Sequence, residues 1–171
     1  MTEEFEDDDS DDDSDEDDYN DEFLSTAGRE AFVAFLNGEL EDESGYIINK
    51  YNEFIDNFIE TEIERSAKKS IIIDMDDLSA IDTHLLTTVE EEIDILPTLK
   101  IINFPEKNLP ILDELFTTVL ERRHSTDDFD IRSQGNYHVR IKNINPLTAG
   151  LEEVKSSKVG KLIQIKGEII E

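Results

Sequence analysis

The sequence contains no cysteine and no tryptophan, and its 16 lysines and arginines face 44 aspartates and glutamates. Without cysteine there are no disulfide frameworks, cysteine-based zinc sites or thiol nucleophiles. Three isolated histidines, His84, His124 and His138, have no metal-ligand spacing. There is no GxxxxGK[ST] phosphate loop, GxGxxG turn, GxSxG elbow, HExxH helix or EF-hand spacing, so no catalytic residue set and no metal site is identified. No apolar run approaches the roughly 18 residues of a membrane span, and the MTEEFEDDD start is acidic where a signal peptide is basic and then apolar. These absences describe a soluble, cytoplasmic, non-membrane protein, and a formal charge of −28 is unlike that of a protein that coats nucleic acid.

The charge that is present is uneven. Residues 1–22 hold 15 acidic side chains and no basic one, which leaves −13 for the other 149 residues. With so little apolar surface, residues 1–24 are expected to form a disordered acidic tail. It reads either as a solubilising extension or as a segment that docks a basic protein or competes with nucleic acid for basic surfaces. Ser10 and Ser14, set among aspartates, would add charge if phosphorylated. Residues 23–131 carry 25 acidic and nine basic side chains, whereas 132–171 carry seven basic and four acidic. Only this last region is net positive, so any phosphate-facing surface is sought there first.

Hydrophobic spacing organises the remainder. Ser25 or Thr26 caps a short helix over 27–36, which Asn37-Gly38 ends. Ile47, Tyr51, Phe54, Ile55, Phe58, Ile59 and Ile63 recur at helical steps between residues 44 and 65 and predict a packed amphipathic helix. SIIIDM at 70–75 reads as a buried strand, followed by an acidic turn at 74–77 and a helix over 81–93 with Ile81, Leu85, Leu86, Val89 and Ile93 on one face. Asp74, Asp76 and Asp77 read as a solvated turn or as a cation site at a strand end. Pro97, Pro105 and Pro110 break the chain into short pieces around a buried 99–104 segment. A helix over 111–123 ends in Arg122, Arg123 and His124, which complement its negative terminus.

A loop covers 125–136. Residues 137–144 then alternate like a half-buried strand, 151–159 form one or two helical turns, and 161–170 alternate again. The fold class is mainly α with a small β-sheet (α+β), four or five helices and one sheet drawn from 70–75, 137–144 and 161–170, with the last strand at an edge or projecting from the bundle. Lysine and arginine suit phosphate contact, which makes Arg140, Lys142, Lys155, Lys158, Lys161 and Lys166 the candidate DNA-binding residues. The other reading of this set is the solvated face of two strands.

The stretch 139–170, VRIKNINPLTAGLEEVKSSKVGKLIQIKGEII, resembles the junction segment of the minichromosome maintenance (MCM) replicative DNA helicases. Arg140, Asn145-Pro146, Leu151, Val154, Ser156-Ser157, Val159-Gly160-Lys161-Leu162 and Gly167 occupy the family's motif positions in order. SIIIDMDDLSAID resembles an upstream family motif, and the likeness covers residues 28–171. It implies a helical N-terminal bundle leading into the first strand of a truncated OB-fold, with 25–150 as the helical subdomain and 151–171 as linker helix and strand. It further implies a non-catalytic part of an archaeal-type, nucleoid-associated helicase, assembling as a homo-oligomer such as a hexamer and touching DNA weakly and non-specifically. ATP with magnesium, and zinc, would belong to parts of the family absent here, so this chain needs no cofactor. The 96–110 stretch is longer than the family pattern, and the acidic tail stands outside it. The competing expectation is a stand-alone acidic adaptor that binds basic partners through its tail.

Overall fold

A computed structural model of the 171-residue chain describes residues 22–61, 69–88, 95–128, 130–144, 148–149 and 160–165. The fold is mainly helical with a small sheet component. Helix α1 spans Thr26–Leu36, α2 Lys50–Thr61, α3 Met75–Thr88, α4 Pro97–Asn103 and α5 Pro105–His124, with β1 at Ser70–Asp74 and β2 at His138–Lys142. No helix among the described residues is long and apolar enough to cross a membrane.

Helix α1 starts as its sequence dictates: Ser25 Oγ accepts the Gly28 N–H at 3.0 Å. It stops at Gly38, whose φ of 71° suits glycine and where a Cβ would lie 2.6 Å from Asn49 Oδ1. The next helix is shorter than its apolar spacing suggests. Asp42 Oδ1 accepts the N–H groups of Ser44 and Tyr46 at 2.8 and 3.0 Å, Glu41 bridges Ile47 in antiparallel fashion, and α2 begins only at Lys50. Local side-chain turn chemistry therefore wins over periodicity, and Ile47 is 61% exposed. Tyr51, Ile55 and Phe58 do enter the core.

The expected acidic turn at 74–77 is instead the start of α3. Asp74 Oδ1 accepts the Asp76 N–H at 2.9 Å, and Asp76 and Asp77 stand in the first turn, where negative charge complements the helix dipole. Leu78, Ile81 and Leu85 are buried, but Leu86 is exposed, and Val89 and Ile93 lie outside the described residues.

The prolines also act differently from expectation. Pro97 and Pro105 each open a helix at N1, where a missing N–H costs nothing, and Pro110 sits inside α5. Pro110 leaves the Glu106 carbonyl without its helical donor, and both residues are exposed. Within the segment 99–104, Ile101 and Ile102 are buried and Leu99 is not.

Strands β1 and β2 pair in parallel from Ser70↔His138 to Asp74↔Lys142. The third expected strand does not join them: β4, Gln164–Ile165, pairs in parallel with β3, Thr148–Ala149, as a separate two-stranded ladder. The 125–136 loop includes a 3₁₀ turn at Arg132–Gln134, and the helical turns expected over 151–159 lie outside the described residues. Under the β1–β2 sheet, Phe58, Phe116 and Tyr137 meet edge to face at centroid distances of 6.2–6.3 Å, joined by Ile71, Ile73 and Leu112.

The acidic tail ends sooner than residue 24. Leu24 is buried, and the fully buried side chain of Asn108 accepts its N–H at 2.9 Å. Asn108 Nδ2 also donates to the carbonyls of Glu22, Lys100 and Phe104 at 2.8–3.1 Å, so one amide joins the N-terminal segment, the end of α4 and the start of α5. Asp82 has a matching role. From α3 it accepts the Thr98 N–H at 3.1 Å and the Thr98 hydroxyl, capping α4 from a neighbouring helix, and burial pushes its pKa above the ordinary carboxylate value.

Two outcomes are expected. Asn108→Leu, although isosteric and a better helix former, should cost about 2–3 kcal/mol because it strands the Leu24 N–H and takes a donor from the Glu22 carbonyl, whereas the Lys100 and Phe104 carbonyls keep their backbone donors; a urea-melt change below about 0.5 kcal/mol would remove Asn108 from this role. For Asp82, the native state keeps its proton to higher pH than the unfolded chain. Its contribution is therefore fullest below about pH 3.9 and declines as pH rises through the raised folded value. Asp82→Asn preserves both hydrogen bonds without a titrating group, so it should gain stability relative to the parent as pH rises from about 4. A pH-independent difference between the two proteins would contradict that assignment.

Candidate nucleic-acid interface

The β1–β2 register decides which side chains leave the core. Ile71, Ile73 and Val139 point inward, so Ile72 and Arg140 emerge side by side on the outer face, with Asp74 beside Lys142 and Ser70 beside His138. Ile72 is 57% exposed, and Arg140 and Lys142 are exposed. Neither cation has an ion pair or hydrogen bond among the described residues. Asp74, the register partner of Lys142, accepts from Asn143 Nδ2 at 2.7 Å and from the Asp76 N–H.

Asp113, on α5, fixes the position of β2. Its Oδ1 accepts the Val139 N–H at 2.7 Å and its Oδ2 lies 3.0 Å from His138 Nδ1. On the other strand, the Tyr51 hydroxyl accepts the Asp74 N–H at 2.9 Å and donates to Asp77 Oδ2 at 2.7 Å, while Lys50 pairs with the same carboxylate. Burial, and then the hydrogen bond to Asp77, raise the Tyr51 pKa well above that of a free phenol, so the O–H donor persists at neutral pH.

Other basic residues are committed elsewhere. Arg123 stands in the last turn of α5, as read from sequence, and also reaches Asp56 Oδ1 on α2 at 3.1 Å and Asn37 Oδ1 after α1 at 2.5 Å. Arg132 pairs with Glu114 and Glu121. The Glu114 and Glu121 hydrogen bonds raise its pKa further, and the Arg132 hydrogen bond lowers that of Glu114.

A shallow cleft of about 270 Å³ lies beside β2, lined by Asp113, Thr117, Arg132, Tyr137 and His138 among others. The His138–Asp113 contact is the geometry of an oriented base, but the cleft gives it no activated nucleophile. The Thr117 hydroxyl donates to Asp113 O at 2.8 Å and the Tyr137 hydroxyl to Ile131 O at 3.0 Å. No cluster of three His, Asp or Glu suited to a metal is found among the described residues, and Asp74 and Asp77 are taken up by the contacts above.

Of the six sequence-derived DNA-binding candidates, Arg140 and Lys142 share one face. Lys161 is exposed, next to Leu162, whose N–H donates to Ile102 O of α4 at 2.8 Å. Lys155, Lys158 and Lys166 lie outside the described residues. Sequence reasoning missed Asp113, because a carboxylate on a half-exposed helix carries no pattern that separates a strand-positioning role from a solvated one. No protein-family model matches the chain, and no curated protein matches it.

Asp113→Ala should free the Val139 amide and the His138 ring together. We expect a loss of about 1–2 kcal/mol in stability and faster hydrogen exchange at Val139 than at core amides of α5. Unchanged exchange at Val139 would mean that Asp113 does not hold the strand.

Proposed function

We propose that the chain is a non-catalytic, N-terminal part of an MCM-like replicative helicase, acting through subunit contacts and weak, non-specific DNA contact. One observation carries the reading. The two segments that bear the resemblance, SIIIDMDDLSAID and the Arg140 strand, are distant in sequence yet pair residue for residue as β1 and β2. The third, Gly160-Lys161-Leu162, is tied back to the bundle through the Leu162–Ile102 hydrogen bond. A motif set that converges in this way behaves as one structural unit, as expected if the segments belong to one domain. On this reading β4 belongs to the opening strand of an OB-fold and the helices form the N-terminal bundle.

The DNA-facing surface would be the exposed row of Arg140 and Lys142, with Lys161 as a separate contact. The side chains are suited to phosphate and offer no base-reading geometry, which fits non-specific contact. Subunit assembly belongs to the same reading and would appear as a sedimenting species larger than the 19.6 kDa chain.

The deciding experiment is fluorescence anisotropy with a single-stranded oligonucleotide at low salt. The double variant Arg140→Glu, Lys142→Glu should weaken binding at least tenfold and flatten the log–log salt dependence by about 0.7 for each phosphate that is no longer neutralised. Equal binding by parent and variant would remove the row from the interface. Saturable binding of a polycationic peptide with no DNA binding would favour the acidic-adaptor reading instead.

A further inference from the structure

The described chain begins at Glu22, within reach of the basic residues. Glu22 is held by Asn108 Nδ2 at 2.8 Å and by Lys107. The same amide reaches Lys100 O on α4, two residues from Ile102 O, which receives the N–H of Leu162, the neighbour of Lys161. In the other direction, Asp113 stands five residues along α5 from Asn108, a rise of about 8 Å. From Val139, which Asp113 holds, Lys142 is three strand residues away, about 10 Å. Counting the two side-chain bridges as well, Arg140, Lys142 and Lys161 all lie within roughly 30 Å of Glu22.

Residues 1–21 carry 14 acidic side chains and no basic one. Their contour of about 70 Å is about twice the needed span. The three cations are exposed and without ion pairs among the described residues. We infer that the acidic tail, residues 1–21, docks on the Arg140, Lys142 and Lys161 surface of its own chain and acts there as a polyanion that competes with nucleic acid. The competitive role rests on the DNA contact proposed above; the docking does not.

Proximity gives the docking its strength. A tethered segment meets a nearby surface at an effective concentration in the millimolar range, so even a weak tail contact occupies the row and lowers the apparent affinity for a free polyanion. Because both contacts are ionic, added salt weakens both. Near 0.5 M salt, where the Debye length falls to about 4 Å, the tail separates from the row.

The absence of native cysteine makes the test clean. A nitroxide attached to the full chain through Ser14→Cys should broaden the amide signals of Arg140, Lys142 and Lys161 at low salt more than those of Tyr46 and Ser79, and the difference should vanish near 0.5 M salt. Equal broadening at both sets of amides overturns the docking. In parallel, changing Asp7, Asp8, Asp9, Asp11, Asp12 and Asp13 to asparagine should tighten oligonucleotide binding by about threefold to tenfold. The same gain in the Arg140→Glu, Lys142→Glu background would overturn the competition, because the tail would then act by bulk repulsion. Selective broadening with no DNA binding by either protein would retain the docking and sink the DNA-contact reading.

Discussion

Two parallel strands alone make a poor sheet, because each presents a full edge of unpaired backbone groups and has only one partner to bury against. In this protein side chains stand in for the missing strands. Tyr51 takes the Asp74 N–H at the outer edge of β1, and Asp113 takes the Val139 N–H at the outer edge of β2. Each comes from a helix packed beside the sheet, so the ladder and the bundle fix each other. The crossover between the strands is α3, α4 and α5, which bring Leu78, Ile81, Leu112 and Phe116 beneath Ile71, Ile73 and Val139. Removing either edge interaction would loosen the register that separates buried isoleucines from exposed cations.

The same substitution of side chain for backbone recurs at the proline-rich centre. Neither Leu96 nor Phe104, the residues before Pro97 and Pro105, supplies a side-chain cap. Asp82 reaches across from α3 to serve the start of α4, and Asn108 serves the last carbonyls of α4 from within α5. Buried polar groups carry large penalties when unpaired, so these two residues bind the helices into one arrangement more strictly than apolar contact alone would. Asn108 also secures Leu24 and the Glu22 carbonyl, so it joins the N-terminal segment to both helices.

Much of this was legible in the sequence, and the failures share a cause. The 3.6-residue spacing of α1 and the alternation of 137–144 report burial directly, so the first helix, both strands of the main sheet and the outward placement of Arg140 and Lys142 could be read. The start of α2 could not, because Asp42 diverts the backbone into a turn that periodicity does not register. Asp76 and Asp77 look like turn residues but serve equally well in a first helical turn. Pro110 sits inside α5 at an exposed position, and that exposure depends on tertiary placement and not on local preference. Asn108, Asp82 and Asp113 act between elements, and a single sequence holds no record of which elements meet.

Charge gives the exposed row its meaning. At a Debye length of about 8 Å in physiological salt, a phosphate approaching Arg140 senses the side chains around it and little of the distant excess of 28 negative charges. Around that row, His138 is tied to Asp113 and Asp74 to Asn143, so the neighbouring groups are already paired. Lower salt lengthens the reach of the whole chain's negative field along with that of the local cations. Contact with an anion on this face is therefore a balance between a short-range attraction and a long-range repulsion, and salt shifts both in the same direction at different rates.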